Sequence, residues 1–490
     1  MTSSVILVTS YDPSFLAIFE HLLISEAHAG NQPIAFDITP ILSVTIDSYH
    51  RGILRAARLD YPGHDIETRL IGTGARYVRV DSTVSPADLA PLDGPLEEAL
   101  EMAMESALIT FSRTDRPKRG RRSVETAAEH LRREGRIAYR RVAEFCVENP
   151  SVSLAYVVNG RFPNQKLSQL AFEDAGVQCR HIEKGEGVGR AYVQDYAPQD
   201  RLLSQATVDE VLNGLSRDEV NEIADVWLAA RAPSAQSINR YSALWDESLP
   251  PSVAVKKKSG KPIVGFFTSS QDEFLSVGAE WHIDSWKDQF DAFDQILARF
   301  EGDGYATYLR VHPNLATKEH SFFKRERDGI RWLQRRHPEL TVIWHDHVAN
   351  TYSLVEASDV VVVWASTVGL EASARGIPVW AASATRYGLT ADVREVLSTD
   401  ELAGVGALRW AVNTDGAKRF IAYLVLRDQQ MSTDLRDWIP WDANNPPLAV
   451  TLAAIAVSGG ISRPAAAVLS LVDVYRHRGL RANLRSLRRR

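Results

Sequence analysis

The stretch Ser358 to Trp380, SDVVVVWASTVGLEASARGIPVW, brings together residue types able to hold a phosphate. A β-branched apolar run closes at Trp364, and Ser366 and Thr367 stand where a helix should begin. The first N–H groups of a helix have no partner inside it, so with two hydroxyls beside them they make a phosphate cradle. Glu371, one turn further on, is placed to accept hydrogen bonds from a ribose. The same residues also fit a structural reading, with Ser366 or Thr367 as N-cap and Glu371 complementing the helix dipole. Gly369 would let a ligand approach closely, and Gly376 and Pro378 mark the exit turn.

Three further loops carry polar groups at strand ends. In YLRVHPN, Arg310 closes a strand and proline fixes the turn that holds His312, with Asn314 just beyond. In TSSQDE, Ser269 and Ser270 suit phosphates, while Glu273 faces either a sugar or solvent. In the first half, Asn159 and Arg161 follow one strand as candidate sugar or acceptor contacts, and Glu183 ends the next. Burial would move a carboxylate such as Glu183 toward the working range of a general base; Asp12 is the second choice, and a salt-bridged surface Glu183 is the plain alternative. His345-Asp346-His347 offers two ligands on one side of a strand end but no third, so no metal is expected. The P-loop, serine-hydrolase elbow and Cys-x-x-Cys patterns are absent, and the glycines at 185, 187 and 189 do not have dinucleotide spacing.

These loops need elements to hold them. After position 262, short apolar runs at Ile263–Thr268, Tyr305–Val311, Leu340–Trp344, Asp359–Trp364 and Ile377–Trp380 alternate with helical patterns, which predicts a parallel sheet covered on both faces. Ligands of such sheets bind at the carboxyl ends of the strands. Strands at Val5–Thr9, Leu154–Val158 and Val177–Ile182, with long helices at Leu96–Phe111, Ser123–Val147 and Val208–Arg231, make the first half α/β as well. The segment LPPSVAVKKKSGKP reads as an exposed linker. The expected organisation is therefore an α/β chain of two Rossmann-like domains facing across a cleft: 1–249, a linker at 250–262, 263–445, and a helical basic tail at 446–490.

Composition narrows the function. The 490 residues are 45% hydrophobic and 24% charged, close to the globular average, with a net charge of −6. Seven arginines and no acid lie in 476–490, so the remainder is more acidic than the whole and disfavours nucleic acid. Leucines at helical spacing between those arginines suit either an anionic membrane face or a basic helix end favoured by its dipole. Arg113 to Arg122, a second basic run, reads as a solvated loop or a grip on a phosphate-bearing acceptor. Two cysteines make no disulfide framework, no signal peptide is visible, and the apolar run Pro447–Val457 is shorter than the ~20 residues of a membrane span. The expected location is cytoplasmic, peripheral on the inner face of the plasma membrane.

With these motifs in place, SDVVVVWASTVGLEASARGIPVW resembles the nucleotide-binding half of GT-B glycosyltransferases of the bacterial capsule and surface-polysaccharide type, and RVHPN resembles the His-Pro motif of the Kdo transferases and bacterial sialyltransferases. VVNGRFPNQ, HIEKGEG and FFTSSQDEF are similar to stretches of capsule-biosynthesis proteins. The resemblance covers 261–388 clearly and 153–186 thinly; the Gln-Pro motif of the capsule Kdo transferases is not recognisable, which argues against a Kdo donor. It implies a GT-B fold, a nucleotide-sugar donor of which CMP-linked sugars are one class, a polysaccharide or lipid-linked glycan acceptor, and no metal or other cofactor. His312, Ser366 and Thr367 would hold the donor phosphates and Glu371 the ribose. A CDP-polyol phosphotransferase of the teichoic-acid type, a sugar-nucleotide epimerase and a non-catalytic polysaccharide-assembly protein are the alternatives.

Overall fold

Alternating apolar strands and amphipathic helices fold into two α/β units, seen here in a computed structural model. It describes residues 2–9, 13–42, 66–112, 114–117, 119–185, 190–231, 249–269, 281, 285–313, 315, 318 and 320–431. Asp12, Ser270, Glu273, Asn314 and the arginine-rich 476–490 lie outside the described residues.

The first unit draws on 1–111, 117–198 and 428–490. It contains β1 (Ser3–Val8), α1 (Pro13–His28), β2 (Gln32–Asp37), α2 (Ile66–Gly72), β3 (Arg76–Arg79), α3 (Gly94–Ser112), α4 (Arg122–Glu148), β4 (Val152–Val158), α5 (Pro163–Asp174), β5 (Gln178–Lys184) and β6 (Arg190–Gln194). The second draws on 112–116 and 199–427, with α6 (Arg217–Ala230), α7 (Pro251–Lys258), β7 (Ile263–Phe267), α8 (Gln289–Gly302), β8 (Ala306–Arg310), α9 (His320–Arg336), β9 (Thr341–Ile343), α10 (Thr351–Glu356), β10 (Val360–Val363), α11 (Thr367–Ala374), β11 (Val379–Ala381), β12 (Arg394–Glu395) and α12 (Asp415–Arg427). The chain then rejoins the first sheet as β13 (Gln429–Gln430).

The first sheet has the order β13-β6-β5-β4-β1-β2-β3, parallel from β5 to β3, with β6 and β13 antiparallel at the edge. The second, β12-β11-β10-β7-β8-β9, is parallel throughout. Strand periodicity sends Ile6 and Val8 into one core against α1, and Val5 and Leu7 into another against α4. In β10, Val360 and Val362 pack with Phe293 and Ile296 of α8, while Val361 and Val363 pack with Leu354 and Val355 of α10. All four valines are fully buried, which is why this strand reads as an unbroken apolar run.

Several boundaries depart from expectation. The expected linker 250–262 contains α7, because its prolines fall before and at the first helical position, where no N–H bond is lost. Lys256, Lys257 and Lys258 occupy its last turn, where the dipole favours cations, and Val253 is buried. The chain changes unit at 198/199 and returns at 427/428, not at 249 and 263. The single helix expected over 208–231 is broken, with Gly214 at φ +86° before Ser216 caps α6.

Candidate functional site

In the second sheet β7 is followed on one side by β8 and β9 and on the other by β10, β11 and β12, so the order reverses at β7. Open α/β sheets bind ligands beyond the carboxyl ends of the strands at such a reversal. A cavity of about 100 Å³ lies there, lined by Thr268 after β7, Arg310 and His312 at and after β8, Ser366 and Thr367 after β10, Thr351 and Tyr352 of α10, Glu371 of α11, and Arg231. Five of the sequence candidates (Arg310, His312, Ser366, Thr367 and Glu371) therefore share one cavity within one unit.

Arg310 supplies its charge. The residue is 2% exposed; Nη1 donates to Trp344 O and Nη2 to His347 O at 3.1 Å. Its Nε is buried and has no hydrogen-bond partner among the described residues. Burial lowers its pKa to about 10, which leaves the guanidinium charged at neutral pH. A buried cationic donor without a partner costs free energy that an anion in the cavity would recover. His312 is held by its backbone N–H, which donates to Thr268 Oγ1 at 2.9 Å. Burial, with Lys318 and Arg310 close by, pushes the imidazole from 6.5 down to about 4. It is therefore a neutral hydrogen-bonding group at pH 7, not the cation that would be natural beside a departing phosphate.

Ser366 is the N-cap of α11, its hydroxyl accepting from Val368 N–H at 3.3 Å, so the capping role and a place on the cavity wall coincide. Gly369 serves packing: a Cβ there would lie 2.3 Å from Tyr387 Oη and 3.1 Å from Val363, and Tyr387 Oη in turn donates to Ser366 O at 2.6 Å. Close approach of helix to strand explains this glycine, in place of the ligand approach expected for it.

Glu371 lines the cavity with its carboxylate 3% exposed, but it faces a guanidinium that the sequence did not point to: Arg231 Nη1 donates to it at 3.3 Å. Arg231 lies over the Trp227 ring, its Cζ 3.7 Å from the centroid. A ribose reading of Glu371 thus requires the carboxylate to serve two partners. The one hint in the sequence was the i, i+4 spacing of Trp227 and Arg231 at the end of a helical pattern. Thr351 and Tyr352 were also missed, while Thr268 opens the hydroxyl-bearing TSSQDE loop that the sequence had pointed to.

Ser269 does not line the cavity. It is 6% exposed and its hydroxyl accepts from Ala365 N–H at 3.2 Å, tying the end of β7 to the end of β10. His345 and His347 have separate surroundings: the first lies edge-on to Phe323, its buried Nδ1 without a hydrogen-bond partner among the described residues, and the second accepts from Ala349 N–H at 3.0 Å. Among the described residues no group of three or more His, Cys, Asp or Glu is arranged to hold a metal.

Asn159, Arg161 and Glu183 stand in the first unit, at the carboxyl ends of β4 and β5. Asn159 Nδ2 donates to Glu183 Oε2, and Glu183 Oε1 accepts from Lys184 N–H at 2.9 Å. Asn159 is the one non-glycine residue with positive φ among those described, at +54°. Gly160 follows at +75°, where a Cβ would come within 2.9 Å of the His181 ring. Arg161 donates to Thr110 Oγ1 at 2.7 Å and lies over the Phe162 ring. In the second basic run, Arg119 pairs with Glu105 at 2.7 Å.

No protein-family model matches the chain, and neither does any curated protein. Solved structures do share features with it. They include the β-Kdo 2,4-transferase KpsC of Thermosulfurimonas dismutans (14% identity, 56% of this chain and 79% of that one, TM-score 0.36). Sucrose-phosphate synthase from Thermosynechococcus elongatus is also similar (14% identity, 86% and 94% coverage, TM-score 0.32). So is a putative UDP-N-acetylglucosamine 2-epimerase from Listeria monocytogenes (11% identity, 82% and 86% coverage, TM-score 0.28).

Proposed function

We propose that this protein is a nucleotide-sugar-dependent glycosyltransferase of the GT-B type, acting on a cell-surface polysaccharide or lipid-linked acceptor, with CMP-linked sugars among its candidate donors. The observation that carries the reading is the buried Arg310, whose Nε lacks a partner among the described residues and which lines one cavity with His312 and the start of α11. Of the stretches that carry the family resemblance, the segment 358–380, RVHPN and FFTSSQDEF supply residues to this cavity, while VVNGRFPNQ and HIEKGEG lie in the first unit.

In the proposed reaction an acceptor hydroxyl attacks the anomeric carbon, and the bond from that carbon to the phosphate oxygen breaks. The phosphate leaves with the electron pair, and a base takes the hydroxyl proton. Arg310 and Arg231 supply positive charge for the departing phosphate, and His312, Ser366 and Thr367 supply hydrogen bonds. On sequence grounds Asn314 and Ser270 are assigned to the nucleotide and Glu273 to the sugar or acceptor. Glu371 orients Arg231 and accepts from the ribose. Glu183 is the proposed base and Asp12 the second candidate, with Asn159 and Arg161 assigned to the acceptor side. The arginines of 476–490 would hold the protein at an anionic membrane, and deleting them should abolish salt-sensitive vesicle binding; unchanged binding would contradict this. Among the described residues no helix is long and apolar enough to cross a membrane.

A thermal-shift screen across CMP, UDP, GDP, CDP and dTDP tests the donor site. A nucleotide present at a hundredfold its dissociation constant adds about 2.7 kcal/mol, a clear rise in melting temperature. The reading expects one base to stand out; no shift with any of them would overturn it.

A further inference from the structure

Behind the cavity wall a buried polar chain runs through three elements. Gln289, the first residue of α8 and fully buried, accepts from Ser269 N–H at 3.2 Å and donates through Nε2 to Glu326 Oε2 of α9 at 2.8 Å. Nε2 also lies 3.5 Å from Ser269 O. A Glu326 carboxylate, on a residue 7% exposed, has no proton to donate, which fixes the amide nitrogen of Gln289 as the donor. Ser269 in turn accepts from Ala365 N–H. Ser269 adjoins Thr268, whose hydroxyl holds the His312 backbone, and Ala365 adjoins Ser366, the cap of α11.

We infer that Ser269, Gln289 and Glu326 are positioning residues for the anion site, fixing the distance between its His312 wall and its Ser366 wall without touching the ligand. This rests on reading the cavity as a phosphate site. A site that must sit within a fraction of an ångström of a useful geometry needs such supporting hydrogen bonds. Each bond here spans a different pair of elements, so the chain sets their spacing as local turn geometry cannot. It also gives Ser269 a role in the site that does not depend on a place at the cavity surface.

The test compares Ser269→Ala, Ser269→Thr and Gln289→Met with the unaltered chain, measuring affinity for inorganic pyrophosphate and for the best nucleotide of the screen by calorimetry well below each melting point. Ser358→Ala is the control: it removes a buried hydroxyl bonded to Tyr308 Oη at 2.7 Å and to Leu354 O at 2.9 Å, before β10 and away from the cavity lining. Ser269→Ala and Gln289→Met should lose affinity about tenfold, the free energy of roughly one hydrogen bond. Ser269→Thr should retain affinity, and Ser358→Ala should lower only the melting temperature. Equal affinity in Ser269→Ala and the unaltered chain would overturn the inference while leaving the site reading intact; no binding by the unaltered chain would remove both. Should the variants fail to fold, hydrogen exchange in the unaltered chain decides: ligand should slow exchange at the Ser269 and Ala365 amides, and unchanged rates there in a liganded protein would contradict the inference.

Discussion

At the carboxyl edge of β7, β8 and β10 the second unit presents a buried guanidinium, a neutral imidazole and a helix start. At the carboxyl edge of β4 and β5 the first unit presents a carboxylate held by an asparagine amide on strained backbone. Each set stands where its parallel sheet reverses direction or beside that point. Shared topology thus gathers polar groups at the same place in both sheets, and residue type separates the two: one edge carries a cation and hydrogen-bond donors, the other a carboxylate. The strain at Asn159 is a cost, of order 1–2 kcal/mol for a non-glycine residue, that ordinary strand ends avoid.

The largest effect is expected at the cationic edge. Arg310→Lys keeps a charge but loses the fork that reaches Trp344 O and His347 O and the buried Nε that has no partner among the described residues. Turnover of the nucleotide-sugar that the screen selects should fall by ~10²–10³, as when one preorganised donor is lost. Steady-state kinetics checks this, and a loss under threefold would deny Arg310 its role.

Acid should act on both units through buried imidazoles. His312 in the second unit and His181 in the first are each lowered from 6.5 to about 4, chiefly by burial. The unfolded chain therefore binds more protons than the folded one between those values, so stability is full above about 6.5 and is lost as pH falls toward 4. Melting curves across that range should show the decline, and His312→Gln should remove its share but not that of His181. A bound phosphate favours the charged imidazole, so nucleotide affinity should rise as pH falls through the same window, by linkage. A flat pH profile of both melting and affinity would contradict the assignment.

The smallest effect concerns the carboxylate edge. Asn159→Ala loses the amide and keeps the strain; Asn159→Gly loses the amide and relieves it. The glycine variant should be the more stable of the two by about 1–2 kcal/mol in urea unfolding. Equal stabilities would mean that the backbone at 159 is not strained.

The second sheet was legible in the sequence almost strand by strand, because burial on both faces turns IVGFF and VVVV into uninterrupted apolar runs. QPIAFD, RYVR and RAYVQ, which form β2, β3 and β6, were not read as strands, since they mix charge with apolar residues and two of them are short. In the site, residues at a strand end or within four positions of it were readable, which is why Arg310, His312, Ser366 and Thr367 were found together. Arg231 was not, because it enters from a helix end 140 positions from Glu371, and no spacing rule reports that distance. Ser269 was read as a ligand for phosphate when its hydroxyl faces another loop; a serine at a strand end looks the same in sequence whichever way it turns.

The most direct measurement is an experimental structure of the protein with the nucleotide that stabilises it most. The expected result places a phosphate oxygen within hydrogen-bond distance of Arg310 Nε, with the same phosphate against the N–H groups that open α11 and the His312 ring. A nucleotide bound elsewhere, with this cavity holding only water and Arg310 Nε contacting no phosphate, would contradict the account.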